Sequence, residues 1–399
     1  MIHLCFINSE WFSMSDLIEL YEERAKQPME TALSLPFAVY RDEAIAALEA
    51  QKIFHQQWVF VCAVDLLKEV GSYYAFTLAG ESIAVVHGKD GHIRAMSNNC
   101  SHRGTPLLET GFGRIERNIV CPYHAWTYAD DGALKGAPFD NGCVNKHLHA
   151  LPKYALTEWM GLLFINLSDA PEDLAANFNR INPYLANYPL DQFKHAYVGV
   201  SERWNSNWKL AVENGIESYH LFMVHRETLE VNTPSKKAYY VAGGADWSIT
   251  GGEIVTPRGA LAQLFSGSLP ECANHYLLIY LPPGFIGILT YESFDWIAIT
   301  PDGAEHCLVQ SGGLTAHKIS TEDVAKDSFT NAFLSEDKAI CERVQAGMGS
   351  THHSGGKLLE VERIVVDFHQ YLAKCLFNHS AAAIHETDAA QLFRGELAE

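Results

Sequence analysis

The chain has 399 residues, of which 48% are hydrophobic and 19% charged, a composition typical of a folded globular protein. Its formal net charge of −19 argues against a nucleic-acid partner, because such partners need a basic surface. No run of about 18 apolar residues predicts a membrane span. The nine cysteines lack the spacing of a disulfide framework, which favours a reducing cytoplasm.

The N-terminal part of the chain predicts a helical arm followed by a β-rich domain. Apolar residues recur every three or four positions within residues 15–60, which is typical of helices. The period then changes to two, and Ser82–His87 and His92–Met96 flank a short turn, as in a β-hairpin. We therefore expect a helical arm over residues 1–44 and a small all-β domain over residues 45–165.

The rest of the chain, residues 166–399, predicts a larger domain of the α+β class. Residues 170–235 are expected to be mostly helical, and helices are expected again over residues 321–345 and 359–377. Between them lie strands of an antiparallel sheet that the helices would flank. These predicted strands are His275–Leu281, Phe285–Tyr291, Trp296–Thr300 and His306–Gln310.

Two short segments of the β-rich domain each carry one cysteine and one histidine. Cys100 and His102 form the first pair, and Cys121 and His124 form the second. The same four ligands also suit a structural zinc site, which is the main alternative. However, each segment offers one thiolate and one imidazole in a loop of a β domain, which favours the Cys2His2 ligand set of a Rieske [2Fe–2S] cluster.

These segments carry a family resemblance. Cys100-Ser-His-Arg-Gly104 and Cys121-Pro-Tyr-His-Ala-Trp126 together resemble the Rieske signature of ring-hydroxylating oxygenase large subunits. The family usually has glycine at the position of Ala125. Imidazole ligands in place of two thiolates raise the reduction potential of such a cluster, so it can accept electrons from a donor of lower potential.

A second candidate site begins near Asn214. His220 and His225 are five residues apart. On a continuous helix, side chains at this spacing point about 140° away from each other. Both histidines can therefore bind one metal ion only if the helix ends or distorts between them. The whole segment resembles the iron-binding stretch of the same family, in which both histidines are ligands. The resemblance makes Glu217 and Asn214 the candidate catalytic residues, and Glu217 is typical of the carnitine monooxygenase-like branch. Three positions apart on a helix, Glu217 and His220 are expected to form a hydrogen bond.

A facial triad of ligands on iron needs a carboxylate, and Asp337 is the candidate. Phe329, Phe333, Asp337, Ile340 and Val344 are spaced as one helical stripe, which predicts a buried carboxylate that metal coordination would stabilise. An aspartate at the end of the stripe that reaches solvent or Arg343 is the alternative, and Asp367 and Asp295 are the weaker ligand candidates. The resemblance favours Asp337, because Glu336-Asp337-x4-Glu342-x2-Gln345 is similar to the third-ligand motif of the family.

The resemblance implies a terminal oxygenase with one [2Fe–2S] cluster and one mononuclear Fe(II) per chain, using O2 and a small organic substrate. It further implies a homotrimer or larger ring, in which Glu217 connects His220 to His124 of a neighbouring chain. The sequence contains no nucleotide-binding or flavin motif, so a separate NAD(P)H-dependent flavin and iron–sulfur reductase is expected.

The substrate is expected to be an N-methyl or quaternary ammonium compound, since aromatic side chains can form a cation–π cage around such a group. The alternatives are oxidation of an aromatic ring or aryl ether, and an electron carrier without oxygenase activity. The aromatic residues expected to line the pocket are Trp204, Phe222, Tyr280, Phe285, Tyr291, Phe294 and Trp296.

Overall fold

A computed structural model of the chain describes residues 13–255, 269–326, 328–353, 355–380, 384–389 and 392. The first twelve residues of the predicted arm lie outside these ranges. The remainder of the arm contains one complete α-helix and the first two residues of a second, and Ser13 caps the first helix by accepting a hydrogen bond from the backbone N–H of Asp16. In chain order the helices are α1 Met14–Ala25, α2 Glu43–Glu49, α3 Ala175–Leu185, α4 Trp208–Ile216, α5 Leu221–Val224, α6 Thr321–Lys326, α7 Ser328–Gly347 and α8 Arg363–Phe377.

The β-rich half contains a seven-stranded sheet and a small three-stranded one. The predicted hairpin is present, because its two strands pair in antiparallel register and Gly91 takes a positive φ of 81° at the turn. The strands are β1 Val59–Ala63, β2 Ser72–Leu78, β3 Glu81–His87, β4 Ile93–Ser97, β5 Gly111–Arg114, β6 Ile119–Val120, β7 Thr127–Tyr128, β8 Leu134–Gly136, β9 Lys153–Trp159 and β10 Leu162–Asn166. The large sheet has the order β1-β10-β9-β4-β3-β2-β5 and the small one the order β6-β7-β8.

The second half contains another seven-stranded antiparallel sheet, so the α+β class and the predicted antiparallel sheet are confirmed. Its strands are β11 His195–Trp204, β12 Ala238–Gly244, β13 Trp247–Glu253, β14 His275–Leu281, β15 Phe285–Leu289, β16 Ser293–Pro301 and β17 Cys307–Thr315, in the order β11-β17-β16-β15-β14-β13-β12. The mostly helical prediction for residues 170–235 was wrong for β11. That edge strand is largely solvent-accessible and therefore lacks the buried alternation that marks a strand.

The second sheet joins the two halves of the molecule and positions the helices that carry the candidate site. Its core-facing aromatic residues pack against Phe60 and Phe164 of the first sheet, where the Phe60 ring lies 4.9 Å from Phe285 and 5.5 Å from Trp296 between centroids. Helix α4 contacts α7, α8 and strand β16. Among the described helices, none combines the length and the hydropathy that a membrane crossing requires.

Candidate metal centres

The two histidines of the second candidate site lie on either side of a short helical turn. Helix α4 ends at Ile216, and Glu217 is extended, with φ −109° and ψ 158°. His220 and His225 then cap the two ends of the single turn α5. The expected interruption of the helix is therefore present, and it brings the Nε2 atoms of the two histidines to within 3.1 Å of each other.

Asp337 completes a triangle of ligand atoms with these histidines. Its Oδ1 atom lies 2.9 Å from Nε2 of His225 and 3.4 Å from Nε2 of His220. Metal–nitrogen bonds of about 2.1 Å at right angles place adjacent ligand atoms about 3.0 Å apart. The three atoms therefore suit three adjacent positions on one metal ion, as in a facial triad.

Asp337 is buried, as predicted, although the two ends of the predicted helical stripe are partly exposed. The buried side chains of α7 near Asp337 are Leu334, Cys341 and Gln345. Phe329 and Val344, two members of the predicted stripe, are 40% and 37% exposed. Asn214 supports the buried carboxylate, since its side-chain amide donates a 2.7 Å hydrogen bond to Oδ1 of Asp337.

A carboxylate contacts the outer ring nitrogen of each histidine. Oε1 of Glu217 lies 2.6 Å from Nδ1 of His220, as predicted, although the extended backbone of Glu217 makes this contact rather than a continuous helix. Oε2 of Glu336 lies 2.7 Å from Nδ1 of His225. The sequence argument gave Glu336 no role, although its position beside Asp337 was a usable signal.

The two weaker ligand candidates have other partners. Asp367 is buried and accepts hydrogen bonds of 2.7 and 2.8 Å from the hydroxyls of Tyr240 and Ser248. Asp295 accepts a hydrogen bond of 2.7 Å from the hydroxyl of Tyr197. Neither belongs to the group formed by His220, His225 and Asp337.

The electrostatics of the metal-free triad follow from its burial and its close contacts. Burial lowers the pKa of His220, but hydrogen bonds with Asp337 and Glu217 outweigh this effect and raise it to about 9. Burial raises the pKa of Asp337, and its hydrogen bonds with His220 and His225 reverse the shift and hold it below the usual value. Without metal, the site therefore pairs a carboxylate with a protonated imidazole near neutral pH.

The triad lies at a cavity of about 1000 Å³. One face of the second sheet forms a wall of this cavity, through Leu278, Ile288 and Ile297. Its aromatic lining residues are Tyr197, Tyr276, Trp296, Phe329 and Phe333.

Of the seven aromatic residues predicted to line this cavity, only Trp296 does so. Tyr280 is buried in the core, where its hydroxyl donates a hydrogen bond to the carbonyl of Pro283. Phe222 is exposed on the short helix that separates the two histidines. The other four pack in hydrophobic clusters of the core, namely Trp204, Phe285, Tyr291 and Phe294.

The paired cysteines and histidines lie on two similar turns. The N–H of Gly104 donates a hydrogen bond to the carbonyl of Cys100, and the N–H of Ala125 donates one to the carbonyl of Cys121. Both donors have a positive φ, 73° for Gly104 and 55° for Ala125, which accounts for a preference for glycine there. The turns bring the imidazole rings of His102 and His124 to 4.9 Å between centroids.

The spacing of these four side chains argues against a single zinc ion. Two ligand atoms of one zinc lie at most about 4.6 Å apart. Among the described residues, His220, His225 and Asp337 are the only three potential ligands whose atoms all lie within 4.8 Å of one another. The ligand atoms of the Cys/His set are therefore spread more widely, which fits a cluster of two irons with cysteines on one iron and histidines on the other.

The two cysteines are also suited to bind as thiolates. Cys100 and Cys121 are buried, whereas His102 and His124 are exposed. The hydroxyl of Tyr128 lies 3.2 Å from the sulfur of Cys100. Burial raises the pKa of the Cys121 thiol, but backbone N–H groups that face its sulfur outweigh burial and hold this pKa below the usual value.

Comparison with known protein families finds two domains, each of which contains one of the candidate sites. Residues 57–154 match the Rieske [2Fe–2S] domain, and residues 190–377 match the catalytic domain of the ring-hydroxylating alpha subunit. The chain therefore contains the two domains found in the ring-hydroxylating alpha-subunit family. The two domains of this family bind a Rieske cluster and a mononuclear iron, and the two donor sets described above fit these groups.

Individual relatives show how far the similarity extends. The glycine betaine monooxygenase oxygenase subunit of Chromohalobacter salexigens is 36% identical over 203 residues, which cover 49% of this chain and 44% of that protein. The chain therefore aligns with less than half the length of this relative. The carnitine monooxygenase oxygenase subunit of Acinetobacter baumannii is 27% identical over 391 residues, which cover 94% of this chain and all of that protein. The crystal structure of a quaternary ammonium Rieske monooxygenase with an inhibitor has the same fold, with a TM-score of 0.76 at 22% identity over 88% of this chain and 98% of that one.

Proposed function

We propose that this chain is the terminal oxygenase component of a Rieske non-haem iron system and that it oxidises an N-methyl or quaternary ammonium compound. The observation that carries the proposal is the triangle formed by Nε2 of His220, Nε2 of His225 and Oδ1 of Asp337 at a large cavity. A protein that only transferred electrons would not need a second group of metal ligands beside a cavity large enough for a substrate. The set leaves part of the coordination sphere open, as an oxygen-activating iron requires.

The residues around the triad would hold its ligands in place. A bound iron would supply the binding and reduction of O2, with electrons delivered by the cluster. Glu217 accepts a hydrogen bond from the Nδ1–H of His220, so that Nε2 faces the metal position. Asn214 donates to Oδ1 of Asp337 and fixes the direction of the carboxylate. Glu217 and Asn214 therefore keep their proposed catalytic importance as residues that orient ligands.

The β-rich half would hold the [2Fe–2S] cluster through Cys100, His102, Cys121 and His124. The exposure of both imidazoles would let electrons enter and leave at that edge. We propose a separate NAD(P)H-dependent flavin and iron–sulfur reductase as the donor, and a homotrimer or larger ring in which Glu217 contacts His124 of the next chain. A solved relative whose study describes inter-subunit electron transfer supports this assembly.

We divide the chain into an arm (residues 1–44), a cluster domain (45–165) and a catalytic domain (166–399), a division that is consistent with the limits of the two family matches. We also propose a cytoplasmic location. The described cysteines are all free thiols, as expected in a reducing compartment.

The substrate proposal rests on the cavity lining and on the named activities of the relatives. Aromatic rings attract a cationic ammonium group through their negative faces, and Tyr197, Tyr276 and Trp296 line the cavity together with Phe329 and Phe333. One oxygen atom of O2 would enter an N-methyl C–H bond and the other would leave as water, with two electrons and two protons consumed. The hydroxymethyl product then releases formaldehyde as its C–N bond breaks.

Turnover with a panel of compounds tests the proposal. The protein is reconstituted with a reductase, and NADH-dependent O2 uptake, formaldehyde and cis-diols are measured for carnitine, betaines, choline and simple aromatic acids. We expect formaldehyde in step with O2 uptake for one or more of the N-methyl compounds. Cis-diols from the aromatic acids alone would assign the chain to ring dioxygenation instead. A protein that binds no iron beyond the two of its cluster, and consumes no O2, would be an electron carrier.

A further inference from the structure

Glu336 occupies a position at the candidate iron site that the proposed function does not yet use. Consecutive residues of α7 contact the two ring nitrogens of His225, Glu336 at Nδ1 and Asp337 at Nε2, with distances of 2.7 and 2.9 Å. The His225 side chain is completely buried, so its orientation is fixed by these contacts. Neighbouring helical residues point about 100° apart, which lets one carboxylate reach the outer edge of the ring while the other reaches its inner edge.

The hydrogen-bond pattern determines which ring nitrogen carries the proton. Nε2 of His225 faces the other two ligand atoms of the triangle, so it must present a lone pair to a bound metal. Nδ1 then carries the proton and donates it to Oε2 of Glu336. The hydroxyl of Thr228 donates a second hydrogen bond of 2.6 Å to the same oxygen and holds the carboxylate in place.

We propose that Glu336, held by Thr228, is the positioning residue of His225: it keeps the imidazole in the Nδ1–H form and strengthens Nε2 as a metal ligand. This inference rests on the proposed function, since it assumes that the triad binds iron. Glu336 is thereby the counterpart of Glu217, which makes the equivalent contact with His220 at 2.6 Å. Each histidine of the triad has its own carboxylate partner.

Glu336 is not an ordinary surface acid. Its carboxylate accepts hydrogen bonds from His225 and Thr228, whereas Lys338, two residues further along α7, pairs with Glu202 at 2.9 Å. The side chain of Glu336 is 34% exposed, against 11% for Glu217, so solvent screens its charge more. The removal of the Glu336 charge should therefore weaken metal binding less than the removal of the Glu217 charge.

Cobalt binding to the full-length protein tests the proposal. Mononuclear iron is removed with a chelator while the cluster stays oxidised, and the Co(II) dissociation constant is measured by competition. Loss of such an outer carboxylate typically weakens metal binding 10- to 100-fold. We expect roughly a tenfold weakening for Glu336→Gln and a larger one for Glu217→Gln. Thr228→Val should weaken binding in the same direction, and it leaves the acid intact if Glu336→Gln folds poorly.

Proton NMR of the Co(II) protein separates positioning from a merely structural effect. The Nδ1–H protons of His220 and His225 should appear as two solvent-exchangeable resonances with large paramagnetic shifts. Glu336→Gln should move one of them and Glu217→Gln the other. Glu342→Gln is the matched control on the same helix, because Glu342 accepts hydrogen bonds from the backbone and side-chain N–H groups of Asn205 and does not contact the triad.

Two outcomes would overturn different parts of the argument. Wild-type Co(II) affinity and an unmoved pair of resonances in both Glu336→Gln and Thr228→Val would refute the role of Glu336 and leave the triad intact. Wild-type Co(II) affinity in His225→Ala would instead refute the proposed metal site itself, and the role of Glu336 with it.

Discussion

The buried ion pair between Glu49 and Lys209 should be a main support of the helix that carries Asn214. The Lys209 side chain is completely buried, and its ammonium lies 2.8 and 3.0 Å from the two oxygens of Glu49. The indole N–H of Trp208 and the hydroxyl of Tyr21 also donate to this carboxylate, at 2.8 and 3.0 Å. Glu49, the last residue of α2, therefore accepts hydrogen bonds from the first turn of α4 and from Tyr21 of α1, and connects the three helices.

Glu49→Met should destabilise the fold strongly. An ion pair broken from one side inside a protein costs about 3–5 kcal/mol, because the remaining charge stays buried. The N–H of Trp208 and the hydroxyl of Tyr21 would also lose their acceptor, at about 1–3 kcal/mol each. The combined cost approaches the roughly 5–15 kcal/mol that stabilises a typical domain.

The loss should depend on pH with a defined sign. Burial lowers the pKa of Lys209, and the Glu49 carboxylate opposes that shift. Without Glu49, the unfolded state therefore binds the Lys209 proton more tightly than the folded state does. Stability of the variant should rise as the pH increases towards the pKa of an unfolded lysine, about 10.4.

A double-mutant cycle measures the pair directly. Urea unfolding of Glu49→Met, Lys209→Met and the double variant is followed by tryptophan fluorescence and circular dichroism. The double variant should lose less stability than the sum of the single losses, by about 3 kcal/mol or more, because it leaves no unpaired charge. Single losses below about 1 kcal/mol, or strictly additive losses, would refute the reasoning.

The remaining predictions concern the two metal centres. His220→Ala, His225→Ala and Asp337→Ala should each lose the mononuclear iron in metal analysis and keep the visible spectrum of the cluster. If Asp337→Ala still binds the mononuclear iron, a residue other than Asp337 is the third ligand. Metal binding to the metal-free protein should release about one proton below pH 9, because the pKa of His220 is about 9. By the same shift, the stability that protonated His220 gives the metal-free fold should be complete below about pH 6.5 and lost as pH rises through 9, as thermal denaturation would show. His102→Cys should change or abolish a Rieske-type EPR signal, and colourless protein with stoichiometric zinc would contradict the cluster. Ala125→Gly should raise stability by about 1 kcal/mol in chemical unfolding, since it relieves a left-handed residue; an unchanged midpoint would show that the turn carries no strain.

The cluster loops were predictable because their chemistry is local. Each pair of ligands lies within a few residues of one turn, and a hydrogen bond from the fifth residue to the cysteine carbonyl closes both turns. The spacing of the ligands along the chain therefore predicted most of the geometry of these two loops. The departure at Ala125 was also visible in the sequence, although only the backbone gives the physical reason, a positive φ of 55°.

The residues that line the cavity could not be predicted from the sequence. The alternation of side chains along a strand shows that the strand has two faces, but it does not show which face borders a cavity. On β16, Asp295 and Ile297 line the cavity, whereas Phe294 on the alternate face packs in the core. The largest aromatic residues favour the core face, where they bury most area. A choice of lining residues by aromatic character alone therefore selected mainly core residues, and Trp296 is the exception, since it packs in the core and also reaches the cavity.

The iron site lies between these two cases. The distance between His220 and His225 along the chain required an interrupted helix, and burial of Asp337 required a partner, so both requirements could be stated from sequence. Their mutual contact could not be stated, because Asp337 lies 112 positions from His225 and 123 from Asn214. The spacing argument even gave Glu217 the right partner through the wrong backbone geometry. The role of Glu336 could not be predicted for the same reason. Glu336 is next to Asp337 in the sequence, but it accepts a hydrogen bond from His225 only because α7 packs beside the turn that holds this histidine.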